Sequence, residues 1–334
     1  MTFTMTAPAG WWRNLILAGL LAPCAVVSAV AAGQLPGPLV SVQWLNEHQS
    51  EVQIVDVRDD LNSLTAKPSY DTVDGKQVLE SVGGHIMDAL SVNFWGLRTE
   101  QRVEGKTLDF QLVPREEFQA RMRGVQLEAG KPIVITPTGD DPTSLQEAAL
   151  YAWVLQVYGV PAEQVAILNG GVHAWIAAGL PIDTDAIAPL GSTQWEAKPA
   201  RADMVATRED VQKAQKARKV LVDTRPLTQF AGVVQPPAGL KPGRLAGSSS
   251  LPSELLYKQA TDGSWHFLSA EENKALFAVK GMPRLQPGIV YCNTGQYAAG
   301  AWFMMERVQG IKGVRVFPGG IYEWVNLGMP LESL

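Results

Sequence analysis

Covalent chemistry in this chain could be carried by the run Cys292-Asn293-Thr294-Gly295-Gln296-Tyr297-Ala298. The cysteine follows an apolar stretch, Ile289-Val290-Tyr291, that reads as a buried strand, and the small residues after the loop favour a helix. A sulfur between a strand end and a helix start meets inward-turned backbone N–H groups and the positive end of the helix dipole. Such surroundings favour the thiolate, which is the nucleophilic form. Gly295 permits the positive φ that a turn here would use. Free cysteines are more often inert core residues, but the strand–loop–helix context predicts a reactive Cys292 in an electropositive, partly open site. Other chemistries find less support. Position 298 is alanine, where a Cys-x5-Arg oxyanion loop needs arginine, and no Lys-Ser/Thr follows the glycines Gly295 and Gly300. His48, His85, His173 and His266 are scattered and no Cys-x-x-Cys occurs, so neither a metal nor another cofactor is expected.

The elements that must position this loop occur twice. Ile54-Val55-Asp56-Val57-Arg58 is repeated as Leu221-Val222-Asp223-Thr224-Arg225, and Gly84-His85-Ile86 as Gly243-Arg244-Leu245. Ile133-Val134-Ile135-Thr136-Pro137-Thr138-Gly139 corresponds to Ile289 through Gly295. This alignment sets Thr136 against Cys292 and gives the first loop about seven extra residues before its helix. Each half closes alike, with Gly170-Gly171, Trp175 and Gly179-Leu180-Pro181 in one and Gly319-Gly320, Trp324 and Gly328-Met329-Pro330 in the other. Thr207 and Asp210 form a capping-box signal ahead of Val211. Strands alternating with helical patterns predict an α/β fold, two tandem domains that are each a mainly parallel sheet flanked by helices. The expected domains are 38–182 and 203–334, joined by a linker over 183–202.

With 334 residues, 46% of them hydrophobic, the chain can bury two ordinary cores, and its net charge of −5 weighs against nucleic acid as a partner. It has two cysteines, and Cys24 lies in the uncharged run Leu15–Ala32 after Arg13. That run ends in Ala29-Val30-Ala31, small residues suited to signal-peptide cleavage, so residues 1–31 are expected to be removed and the protein exported, with a periplasmic location. An uncleaved helix anchoring the protein in the membrane is the alternative; after cleavage no stable membrane association is expected. The mature chain then keeps one cysteine and cannot form an internal disulfide, which is unusual in an oxidising compartment.

On the Asp-x-Arg strand ends, the Gly-His-Ile turn, the strand-borne cysteine loop and the paired Gly-Gly…Trp…Gly-x-Pro endings, the sequence resembles the rhodanese family of sulfurtransferases in its tandem form. The resemblance implies an inactive first domain and a catalytic second one. Cys292 would take sulfur from a small anionic donor as a persulfide, and pass it to cyanide, a thiol or a protein acceptor in a ping-pong cycle. Loop N–H groups over Asn293, Thr294, Gly295, Gln296, Tyr297 and Ala298 would bind the persulfide. Arg225 matches a family anion-binding arginine, with Arg244 a weaker candidate; Arg58 holds the same place as Arg225 in the first half, which points to a structural ion pair as well. His85 is expected to stabilise its turn. The loop departs from family patterns: it holds no Arg or Lys and is not Cys-Gly-Ser-Gly. Gln229 stands about where mercaptopyruvate-type members place a second arginine, which favours thiosulfate. The lack of loop cations also sustains a different reading, a non-enzymatic persulfide carrier or docking module.

Overall fold

Buried, β-branched runs each end in a charged pair, and these become the central strands of two sheets. The computed structural model describes residues 1–2, 34–188, 191–236, 240–280, 282 and 284–333. All but the first two residues of the expected leader, with Cys24 and the cleavage site at Ala31, lie outside them. Residues Ala32–Leu334 form one compact unit.

The first half contains β1 (Leu39–Val40), α1 (Val42–His48), β2 (Gln53–Arg58), an exposed hairpin of β3 (Ser69–Val73) and β4 (Lys76–Ser81), then β5 (Leu90–Asn93). A second hairpin follows, β6 (Arg98–Val103) and β7 (Lys106–Leu112), and then α2 (Arg115–Gly124), β8 (Ile133–Thr136), α3 (Pro142–Val157), β9 (Val165–Leu168) and α4 (Gly171–Ala177). The second half begins with α5 (Arg208–Lys216), β10 (Leu221–Asp223), α6 (Leu227–Ala231) and β11 (Ser249–Ser250). Its hairpin of β12 (Tyr257–Gln259) and β13 (Trp265–Phe267) leads to α7 (Ala270–Phe277), β14 (Ile289–Tyr291), α8 (Gln296–Trp302), β15 (Arg315–Val316) and α9 (Gly320–Asn326).

Both sheets are parallel and have the same topology. The first runs β1-β9-β8-β2-β5 and the second β11-β10-β14-β15, with Val205 bridging β15 where β1 pairs β9. The Thr207/Asp210 capping box opens α5 as the sequence predicts. Buried on nearly every side, α3 packs against α8, and the apolar side chains between the sheets form one core shared by both halves. Residues 183–202 are not a loose tether: Trp195 is buried against Phe118, and Lys198 and Arg201 donate backbone hydrogen bonds to Tyr158 and Val157.

The repeated motifs have repeated physical causes. Arg58 grips Asp56 through Nε and Nη2 at 2.7 and 2.9 Å, and Nη2 also donates to the Gly84 carbonyl. Arg225 does the same with Asp223, and its Nη2 reaches the Gly243 carbonyl at 2.7 Å. Each pair therefore ties a central strand to the glycine turn of the neighbouring connection. At the closing motifs, the Trp175 indole donates to the Pro181 carbonyl and that of Trp324 to Pro330, each at 2.8 Å.

The strand register corrects the expected correspondence of the loops. Asp56 pairs with Thr136 and Asp223 with Tyr291, so Thr136 is equivalent to Tyr291 and Pro137 to Cys292. Helix α4 agrees, because Val172 N–H donates to the Pro137 carbonyl as Ile321 N–H does to that of Cys292. The apolar runs alone leave this one-residue slip open, because both read as continuous buried strands. The expected seven extra residues are likewise not in the loop: α3 starts at Pro142 and α8 at Gln296, so the first loop is one residue longer, and the rest of the difference lies in the helical segments and in the connection that leads to β9 or β15.

Removing the counter-ion of a buried arginine costs about 3–5 kcal/mol. Asp223→Asn and Asp56→Asn are each expected to destabilise the protein on that scale in chemical denaturation. Because the halves share one core, the loss should lower a single cooperative transition; two separate transitions would contradict this account.

Candidate active site

Cys292 follows the last residue of β14, and its Sγ accepts the Gly295 N–H at 3.1 Å. The N–H groups of Ala298, Thr294 and Tyr297 also favour its charged form. Gly295 adopts φ 88°, which turns the chain from strand into α8. From behind, the first turn of α9 holds the loop: Ile321 and Tyr322 donate to the carbonyls of Cys292 and Asn293 at 2.9 and 3.0 Å. Gly320 has φ +55°, and a Cβ there would lie 2.4 Å from the Cys292 carbonyl, so this close approach requires glycine.

The expectation of a partly open, thiolate-favouring cysteine needs correction. Cys292 is 2% exposed, and burial pushes its thiol above the ordinary range against the pull of the four N–H groups. The cause is the shared core: the sulfur lies where the two halves meet, not on an outer rim.

The other expected site residues separate into two sets. Thr294, Gly295, Tyr297 and Ala298 surround the sulfur. Asn293 instead turns its side chain away, donating to Gln229 Oε1 at 2.9 Å and accepting from Arg225 Nη1 at 3.4 Å. Gln296 opens α8, and no hydrogen bond from it to the sulfur is observed among the described residues. Arg225, expected at the donor, has no exposed surface and its guanidinium is held by Asp223, Gly243 and Asn293. It braces the loop from beneath. Arg244 pairs with Glu332 at 3.3 Å and covers the Phe230 ring at 4.9 Å. His85 is buried, hydrogen-bonded to the carbonyls of Ile86 and Asp185 at 3.0 Å each, as a turn-stabilising residue.

Two residues of the first half, Arg98 at the cysteine loop and Glu147 near its guanidinium, were not legible as site residues. Arg98 opens β6 in the first half, yet its Nη1 donates to the Thr294 carbonyl at 3.0 Å across 196 residues of chain. Phe94, Trp95 and Phe110 flank its guanidinium at 4.7, 5.7 and 5.3 Å. Glu147 on α3 is buried, and burial with the nearby charges of Asp59 and Asp141 pushes its carboxyl up to about 8. The signal for Arg98 was the aromatic cluster Phe94-Trp95 preceding it; nothing local marks Glu147.

The hairpins cross between the halves. The β6–β7 hairpin lies on the cysteine loop and α9, where Tyr322 Oη donates to Asp109 Oδ2 at 2.9 Å. Reciprocally, β12–β13 lies on the first loop, where Trp265 N–H donates to the Gly139 carbonyl at 2.8 Å.

A family model described as "Rhodanese-like domain" matches residues 41–178 and 207–327. The chain is 28% identical over 302 residues to a Haloferax volcanii protein named "Putative thiosulfate sulfurtransferase", covering 88% of this chain and 96% of that one. It is 26% identical over 315 residues to the sulfur carrier protein TtuD of Thermus thermophilus, covering 89% and 97%. Among solved structures, SseA of Escherichia coli, a 3-mercaptopyruvate sulfurtransferase, superposes with a TM-score of 0.66 at 23% identity, covering 85% of this chain and 98% of SseA. An anaerobic ergothioneine biosynthesis enzyme from Chlorobium limicola gives 0.68 at 19% identity, covering 89% and 70%. At these identities the two structures speak for the fold.

Two titrations follow from the site. Because the thiol of the resting protein is raised, its alkylation by iodoacetamide should climb with pH to values above those at which a free cysteine has levelled off; a plateau near neutral pH would contradict the burial argument. Glu147 is raised in the folded state relative to the unfolded one, so its contribution is present at low pH and is lost as pH rises through about 8. Glu147→Gln should therefore flatten the decline of stability with rising pH in that window, measured by denaturation midpoints.

Proposed function

The chain belongs to the rhodanese family in its tandem two-domain form, and we propose that it draws sulfane sulfur from thiosulfate onto Cys292 and delivers it to cyanide or a thiol. The observation that carries this reading is the cradle of N–H groups from Thr294, Gly295, Tyr297 and Ala298 around the sulfur of Cys292. In the first step the thiolate attacks the outer sulfur of thiosulfate. A bond forms between Sγ and that sulfur, the bond to the sulfonate sulfur breaks, and sulfite leaves with the electron pair. The acceptor then attacks the outer sulfur of the persulfide; with cyanide the product is thiocyanate and the Cys292 thiolate returns. Both displacements leave negative charge on sulfur in the cradle, and preorganised N–H groups stabilise such charge strongly where water is excluded.

The first half has Pro137 where the second has Cys292. Proline offers no thiol and no N–H, which supports a catalytically silent first domain. Thiosulfate is favoured because Gln229, engaged with Asn293, stands about where mercaptopyruvate-type members place an arginine. Export to an oxidising compartment belongs to the same proposal, with the one cysteine of the mature chain free of any internal disulfide partner.

A second reading, a persulfide carrier that receives sulfur from a partner protein, is favoured by the similarity to a protein named as a sulfur carrier and by the lack of loop cations. Purified protein should release sulfite from thiosulfate when cyanide is present, and Cys292→Ser should lower turnover by about a thousandfold or more. Turnover no higher than that of Cys292→Ser on both thiosulfate and mercaptopyruvate would overturn the enzymatic reading. A mass gain of one sulfur atom on Cys292 under those conditions would favour the carrier.

A further inference from the structure

An anionic donor needs a cation, and the two arginines of the second half expected at the donor are already engaged. The cysteine loop contains no Arg or Lys. Arg225 is committed to Asp223, Gly243 and Asn293, and Arg244 to Glu332.

The crossing hairpins supply one. By strand register Ser91 is equivalent to Ser250, since they pair Asp56 and Asp223. Counting on through the matching four-residue turns Phe94–Leu97 and Ser253–Leu256 makes Arg98 equivalent to Tyr257. A cation therefore stands against the loop that carries cysteine, whereas the equivalent place in the other hairpin holds a tyrosine whose hydroxyl lies against α8.

The donors of Arg98 are left in a telling state. Arg58 and Arg225 each spend the Nε/Nη2 edge of the guanidinium on a carboxylate. In Arg98 the hydrogen bonds run from Nη1, to the Thr294 carbonyl and hydroxyl at 3.0 and 3.4 Å. Its Nε is buried with no acceptor, the residue is 9% exposed, and no ion pair to it is formed among the described residues. The Phe94 and Phe110 rings fix the plane of the fork. Of the charged groups that face it, Cys292 is the sulfur to be loaded, and Glu147, with its carboxyl raised to about 8, is largely uncharged at neutral pH.

We propose that Arg98, a residue of the silent half, binds the oxyanionic end of the sulfur donor through its unpaired Nε/Nη2 edge and so selects donors that carry a sulfonate-like group. Two oxygens of one such group match the fork that carboxylates fill at Arg58 and Arg225. As the sulfur–sulfur bond of thiosulfate breaks, the departing sulfite takes the electron pair, and Arg98 offsets the charge that gathers on it. The assignment rests on the persulfide reading of Cys292 and adds the origin of its donor selectivity.

The test compares alkylation of Cys292 by iodoacetate, an anion, with that by the neutral iodoacetamide, at one fixed pH in the full protein. Any change in the thiolate fraction affects both reagents equally and cancels in their ratio. Arg98→Gln should lower the iodoacetate-to-iodoacetamide ratio by about tenfold or more and raise the KM for thiosulfate by a similar factor. The iodoacetamide rate itself should stay within about threefold, showing an intact loop, and Arg98→Lys should recover part of the ratio. An unchanged ratio, or equal losses with both reagents, would overturn the assignment, the latter reducing Arg98 to a brace for Thr294. Loss of the ratio in a protein whose wild type does not turn over thiosulfate would leave anion binding by Arg98 standing while the enzymatic reading fails.

Discussion

The proposed reaction needs negative charge on a sulfur atom that sits buried, and the rest of the second half is arranged around that conflict. Burial alone raises the thiol of Cys292, and backbone N–H groups at the start of α8 oppose it. A charge-assisted hydrogen bond is worth about 1.5–3 kcal/mol, so several acting together offset part of the desolvation cost, although the thiol stays raised. They do so only if the loop cannot relax. Its carbonyls are pinned by α9, which needs Gly320 for the approach, and its Asn293 side chain is clamped by Arg225 and Gln229.

The buried Asp–Arg pairs connect this local demand to the fold. At Asp56–Arg58 and Asp223–Arg225 the same bidentate geometry locks a strand end to a glycine turn. Their presence in both halves identifies them as part of the fold. On this common frame the second half has a cysteine after the strand where the first has a proline, and a turn one residue shorter into the helix.

The two halves are nevertheless not separable. They share the core between the sheets, and each sends a hairpin across to cover the other's loop. The first half is therefore part of the cysteine's surroundings, covering the loop and bringing Arg98 to it, with Glu147 near that guanidinium. Low dielectric there strengthens every charge interaction, including that between the Arg98 guanidinium and Cys292.

Much of this was legible in the sequence. The duplication, the α/β class and the strand–cysteine–glycine–helix order follow from local patterns of apolarity, turn chemistry and spacing. The Asp-x-Arg pair could be read as structural because it recurs without the cysteine. Other features depended on contacts between distant residues. An apolar run pairs equally well in two registers until its neighbours are known, which is how Thr136 stood in for Pro137. The openness of Cys292 was set by what the other half lays over it, and Arg98 meets its loop across 196 residues of chain. The sequence by itself determined the cysteine loop and its cradle of N–H groups, because strand, turn and helix start are local. Only the tertiary structure decided how the sulfur is enclosed and which cation faces it, because burial and electrostatics are sums over everything that packs nearby.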